Sequence, residues 1–367
     1  MIPLNDLSRG KSASTEVQGV VSRVIASGQW INGREQKGFE TEFANYLGVD
    51  HFLGVASGTD AIEIALRALG CTHGSKVVTV ANAGAYTTIA ATLIGCEVIF
   101  CDVDPQTLIM DVDSLSEVLS SEIDVVVVTH LYGNIAPVKK IKEICDRFGV
   151  KIVEDCAQAT GGTLDGQRVG SLGDIGTFSF YPTKNLGGVG DGGGISTNQN
   201  SVAEKVYQLR QYGWVDKYKI KLPYGRNSRL DEIQAAVLRL NLVELDEGNQ
   251  RRRAILDNYS EAIAQSGIRL VTNSSTESAA HLAILILPEQ ISRDLFREYM
   301  RANRIATDIH YPILDTDQIA YAKAGAVANL RHSRAAVGSI VTIPLFPQMT
   351  VEELSQITSA LKEFTID

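Results

Sequence analysis

Through the first two-thirds of the chain, short apolar runs alternate with stretches of helical spacing. His51–Ala56 reads as a strand and Asp60–Leu69 as a helix. Lys76–Val80 then predicts a strand, Tyr86–Ile94 a helix, Val98–Val103 a strand and Asp113–Leu119 a helix. Asp124–His130 holds four consecutive valines and reads as a strand, Val138–Phe148 as a helix, and Val150–Glu154 as another apolar strand. Apolar, β-branched runs between helices mark strands covered on both faces, as in a parallel sheet. Repeated βα units imply right-handed crossovers and an α/β fold.

Beyond Gly194 the alternation loosens. Ala203–Tyr212, Leu230–Asp246 and Asn249–Gln265 have helical spacing, the second with Ile233, Ala236, Val237, Leu240 and Leu245 along its apolar face. Asp216–Tyr224 is mixed and carries charge and Pro223. His281–Leu287 predicts a strand, and Arg293–Asn303 and Thr350–Phe364 predict helices. The expected organisation is a large α/β domain over 1–244, including the N-terminal segment, and a smaller α+β domain over 245–367. No internal repeat, low-complexity segment or linker interrupts it.

Composition narrows the class. With 367 residues, 44% of them hydrophobic and 21% charged, the chain reads as an ordinary globular protein with a large core. Its net charge of −9 argues against nucleic acid or anionic lipid as a partner, since both require a basic face. No apolar run is long enough for a membrane helix, and Asp6 and Glu16 stand where a signal peptide would be apolar. The five cysteines, Cys71, Cys96, Cys101, Cys145 and Cys156, show no CxxC spacing. They predict reduced, buried thiols and a cytoplasmic address, and no metal site is expected. Of the 32 glycines, 12 fall between Gly161 and Gly194.

Ligands of open α/β sheets bind at the carboxyl ends of strands. Ser57-Gly58-Thr59 lies at such an end and opens a helix, which suits an anion or phosphate. The same residues also suit a plain turn with Thr59 or Asp60 as helix cap. Asp155 ends the Val150–Glu154 strand, and a carboxylate buried there needs a partner, such as a protonated ring nitrogen. It could equally cap the segment Ala157–Thr160. Lys184 follows the apolar run Ile175–Tyr181 and Pro182, among small residues. A pocketed lysine has a depressed pKa and can form a Schiff base, although most lysines are simply exposed. A phosphate cradle, an acid for a pyridine nitrogen and an amine for an aldehyde together describe a pyridoxal phosphate site. Gly188-Val189-Gly190-Asp191-Gly192-Gly193 matches GxGxxG, but neither a strand directly before it nor a helix within it supports a dinucleotide site.

Longer stretches carry a resemblance. They include Ser57-Gly58-Thr59-Asp60-Ala61, Glu154-Asp155-Cys156-Ala157-Gln158-Ala159, Phe178–Gly187, Gly190-Asp191-Gly192-Gly193 and Gly225–Ala236. Together with Phe39-Glu40, Phe43-Ala44 and the ends of the chain, they resemble the DegT/DnrJ/EryC1/StrS family of nucleotide-sugar aminotransferases. The resemblance implies a three-layer fold-type I pyridoxal-phosphate transferase with a mostly parallel central sheet and a smaller C-terminal α+β domain. It implies that Lys184 joins the cofactor and later moves the α-proton, that Asp155 holds the ring N–H, and that Gln158 approaches the ring hydroxyl. By the same resemblance Gly58, Thr59 and Ser179 hold the phosphate, and Tyr86 stacks on the ring. Asn227 would reach the phosphate of the other subunit, giving a homodimer with shared active sites. His310 and Tyr311 would border the sugar pocket, while His130 could be site-lining or structural.

The implied reaction moves an amino group, with L-glutamate as expected donor, through the pyridoxamine phosphate form to a nucleotide-linked keto-sugar. The expected acceptor is a dTDP-linked 3-keto-6-deoxyhexose, in the making of aminodeoxysugars for surface polysaccharide or glycosylated products. A 4-keto acceptor is the alternative. A pyridoxamine-dependent sugar dehydratase would carry histidine in place of Lys184, and a noncatalytic regulator would not need the lysine and acid. Three stretches depart from the family's usual pattern, Gly74-Ser75-Lys76, Asn82–Tyr86 and Ile313-Leu314-Asp315, and all three are expected near the sugar.

Overall fold

The structure, a computed structural model, describes residues 1–9, 14–272, 275, 277–321 and 329–364. Its main sheet has seven strands in the order His51–Val55, Gly193–Thr197, Ile175–Ser179, Lys151–Asp155, Val125–Thr129, Lys76–Val80, Glu97–Cys101. Gly193–Thr197 runs antiparallel to both its neighbours, and the other pairings are parallel. The expectation of a mostly parallel sheet therefore holds, with one reversed strand.

The valine run shows why three layers form. Side chains alternate across a strand. Val125 and Val127 point into a core with Ala61, Ile64, Ala91 and Val206 from the helices Gly58–Leu69, Tyr86–Ile94 and Asn200–Leu209. Val126 and Val128 point into the opposite core, with Leu115, Val138 and Ile141 from Val112–Val118 and Val138–Asp146. At the reversed edge, Phe39 and Phe43 of the helix Arg34–Leu47 join Phe52, Phe178 and Phe180 in an aromatic cluster.

A second sheet of three antiparallel strands, Arg269–Leu270, Ala283–Ile286 and Ile340–Ile343, packs with Leu245–Ile263, Arg293–Ala302 and Val351–Glu363. Ile2 belongs to this core and pairs with Ile305, so the chain's start and its last third are built together. The two helices expected over Leu230–Asp246 and Asn249–Gln265 are present as Glu232–Leu242 and Leu245–Ile263, with the break at Val243 and Glu244 rather than after Asp246. Neither glycine nor proline makes this break. The first helix packs on Arg34–Leu47 and the second on Val351–Glu363, each in a different hydrophobic core.

Candidate active site

Strand register assembles the site. Asp155 lies beside Thr177, two residues before Ser179, and Ser179 pairs with Gly193, whose other partner is Val55. The ends of three strands, carrying Ser57-Gly58-Thr59, Asp155 and Ser179, thus meet at one edge. Gly58 is required there, because a Cβ would stand 2.8 Å from the Ser179 Cβ. The helix cap is Ser57 rather than Thr59 or Asp60, its Oγ accepting from the Asp60 N–H at 3.1 Å. The N–H groups of Gly58 and Thr59, in the first turn, have no intrahelical acceptor and lie at the cavity.

The cavity at this edge measures about 590 Å³ and is lined by Gly58, Thr59, Tyr86, Asp155, Gln158, Ser179, Lys184, His310 and Tyr311. Nine of the ten residues singled out by sequence are therefore brought together. Asn227 is not; it is exposed and bridges to Gln211, outside the lining.

Lys184 makes no hydrogen bond through Nζ among the described residues. Burial pulls its amine down to about 8, and the Asp155 charge opposes that fall. Asp155 is shifted the other way, upward, by burial. The Ala157 N–H at 3.1 Å, Lys184, His130 and the Thr129 hydroxyl counter the shift. Asp155 thus caps the turn at Ala157 and faces the cavity as well. The Gln158 side chain accepts from the Tyr132 N–H at 2.8 Å and donates to the Tyr311 hydroxyl at 2.9 Å. Tyr311 lies over Gly84, where a Cβ would be 2.9 Å from its ring, and meets Tyr86 edge-on at 6.2 Å. His310 bonds Thr342 Oγ1 at 2.9 Å.

His130 is structural. It is fully buried, its Nδ1 accepts from the Ala136 N–H and its Nε2 lies 3.1 Å from Glu154. Glu154 also accepts from the N–H groups of Gly170, Leu172 and Gly173, which ties part of the glycine-rich stretch beneath the site.

Two of the departing stretches meet. Buried Asp315 accepts from the Ala85 N–H at 2.9 Å and the Thr88 hydroxyl at 2.5 Å, while its own N–H donates to the Ala81 carbonyl. Burial pushes its carboxyl up to about 6 against those donors. Gly74-Ser75-Lys76 proves to be elsewhere, at the amino end of the Lys76–Val80 strand and so at the sheet edge opposite the cavity.

The family profile of DegT/DnrJ/EryC1/StrS aminotransferases matches residues 11–362. The chain belongs to this aminotransferase family. The DegT/DnrJ/EryC1/StrS enzymes similar to it include the dTDP-3-amino-3,6-dideoxy-alpha-D-galactopyranose transaminase of Aneurinibacillus thermoaerophilus, 37% identical, with 99% of each chain covered. The dTDP-3-amino-3,4,6-trideoxy-alpha-D-glucose transaminase of Micromonospora megalomicea subsp. nigra is 35% identical, covering 95% of this chain and 94% of its own. Among solved structures, S. venezuelae DesV in complex with a ketimine intermediate superposes with a TM-score of 0.94 at 33% identity, covering 100% of this chain and 99% of that one. The aminotransferase assignment expected from Lys184 and Asp155 is met, as is the fold. No described helix is long and apolar enough to cross a membrane.

His281 also lines this cavity, and the sequence did not single it out. It stands at the head of an apolar run, where a histidine reads as an ordinary strand end.

Proposed function

We propose that this chain is a pyridoxal-phosphate-dependent aminotransferase that moves an amino group from an amino acid, L-glutamate by expectation, to a dTDP-linked 3-keto-6-deoxyhexose. The observation that carries this reading is the convergence of half-buried Lys184 and buried Asp155, whose charges interact, on a cavity whose wall includes an open helix N-terminus. These residues fit the cofactor, since the cavity supplies an anion cradle, a carboxylate and an amine with no hydrogen-bond partner among the described residues. When bound, the cofactor supplies an aldehyde and an electron-withdrawing ring.

The Gly58 and Thr59 N–H groups and the Ser179 hydroxyl bind the phosphate. Asp155 holds a proton on the ring nitrogen, its carboxylate fixed on one side by the Ala157 N–H. Tyr86 covers the ring, and Gln158 approaches its hydroxyl with the amide hydrogen not given to Tyr311. Lys184 Nζ takes the proton from Cα of the amino donor; its lowered pKa leaves a substantial neutral fraction near neutrality. A histidine there would suit a dehydratase, and Lys184 supports amino transfer instead.

The named activities of the two relatives, both on dTDP-3-amino sugars, support C3 over C4 as the acceptor carbon. His310 and Tyr311 border the sugar. The described residues from 245 onward are read as the smaller unit over the site, joined by Ile2. The active form is a homodimer in which Asn227 reaches the partner's phosphate, a role its exposure outside its own cavity supports. The reaction is assigned to the cytoplasm, with five free, buried cysteines in support.

The test is acceptor amination. The pyridoxamine form, mixed with dTDP-linked 3-keto and 4-keto sugars, should recover the visible absorbance of the aldehyde form with a 3-keto sugar. Recovery only with 4-keto sugars would move the reaction to C4. Lys184→Ala should lower turnover by at least ~10³-fold, and near-normal turnover would refute its role.

A further inference from the structure

A relay of amides fixes the state of the His281 ring. Asn249 Nδ2 donates to the Thr160 carbonyl at 3.0 Å. Asn185 Nδ2 donates to Asn249 Oδ1 and to the Ala279 carbonyl, each at 2.7 Å. Backbone carbonyls can only accept, so both amide orientations are determined. Asn185 therefore turns Oδ1 toward His281 Nδ1, 2.7 Å away, and Nδ1 carries the proton. Gly161, in the glycine-rich stretch, makes room for the relay, since a Cβ there would lie 2.6 Å from Asn249 Nδ2. Burial and the neighbouring positive charges of Lys184 and Arg252 keep the ring neutral. Its Nε2 is then a bare acceptor, with no protein partner among the described residues, on a buried side chain that lines the cavity.

We propose that His281 is a specificity-determining residue whose Nε2 accepts a hydrogen bond from a ring hydroxyl of the acceptor sugar. This rests on the nucleotide-sugar reading above. A fixed acceptor suits a hydroxyl, which can donate, and disfavours a carboxylate or second carbonyl at the same place. A ring carbon lacking the hydroxyl leaves Nε2 dehydrated and unpaired, so the site rejects that deoxy sugar.

The test uses the pyridoxamine holoenzyme with dTDP-3-keto-6-deoxyhexoses lacking the C2 or the C4 hydroxyl, beside the fully hydroxylated sugar. Wild-type kcat/KM should fall between about 10- and 100-fold for one of the two deoxy sugars. His281→Leu should abolish that discrimination and leave the other unchanged, and His281→Gln, which can offer an amide oxygen, should restore part of it. The half-reaction with the amino donor involves no sugar and should be unaffected. A His281→Leu enzyme that keeps both wild-type discriminations, or slows equally on all three sugars, overturns the proposal. Imidazole ¹⁵N spectra of the wild type provide a readout independent of any variant. Nδ1 should be protonated and Nε2 bare, and Nε2 should shift when the aminated dTDP-sugar is added; a protonated Nε2 or an unmoved resonance overturns it. A wild type that accepts the amino group but passes it to no keto-sugar refutes the functional reading itself, and the proposal with it.

Discussion

At the scale of single residues, exclusion of water sets the chemistry. Lys184 is unremarkable by type, and its reactivity comes from burial, which disfavours the ammonium form. Capture of the cofactor aldehyde needs the neutral amine. The rate at which cofactor-free protein takes up pyridoxal phosphate should therefore rise with pH and level off above a midpoint near 8; a midpoint at the ordinary 10.5 would contradict the lowered value. Asp155 stabilises the ammonium, so Asp155→Asn should move this midpoint downward, not upward. Absorbance of the bound cofactor measures both. Lys184 and Asp155 were legible in the sequence because each follows an apolar run that ends at the ligand edge. His281 was not, because the protonation that makes it useful depends on Asn185, 96 positions away.

At the scale of elements, borrowed caps and fixed turns hold the site together. The helix Arg34–Leu47 begins at Gly33 with no side-chain cap of its own. Glu232, buried at the start of Glu232–Leu242, accepts from the N–H groups of Gly33, Glu35 and Gln36 at 2.8–2.9 Å. Glu232→Ala should therefore destabilise the protein by about 3 kcal/mol, through a lost cap and buried donors left unpaired. Denaturant melts of the purified variant check this, and a loss below ~1 kcal/mol would mean that water replaces the carboxylate. Asp315 works similarly, tying the segment with His310 and Tyr311 to the start of the Tyr86 helix. The alternating elements up to Thr197 were legible because strands buried on both faces are apolar throughout. Arg34–Leu47 escaped prediction, although Phe39 and Phe43 are its core face, because its capping signal lies some 200 residues further on.

At the scale of the whole molecule, one chain leaves aromatic surface open. Trp30, Tyr218 and Tyr224 are exposed, and Asn227 stands outside its own cavity. If two chains share their sites, Lys184→Ala on one chain and Asn227→Ala on the other fall in the same site of a mixed dimer and leave its second site whole. Unfolding and refolding the two inactive variants together should restore activity that neither has alone, and no recovery would refute sharing. The sequence by itself determined the α/β class, the βα order and the candidate cofactor residues, because period-2 and helical patterns and strand-end polar residues are local features. Only tertiary structure decided the reversed Gly193–Thr197 strand, the break at Val243, the meeting of two departing segments through Asp315 and the bare nitrogen of His281. Each depends on register, the core a helix joins or a hydrogen-bond partner far along the chain, and no local pattern of residues encodes those.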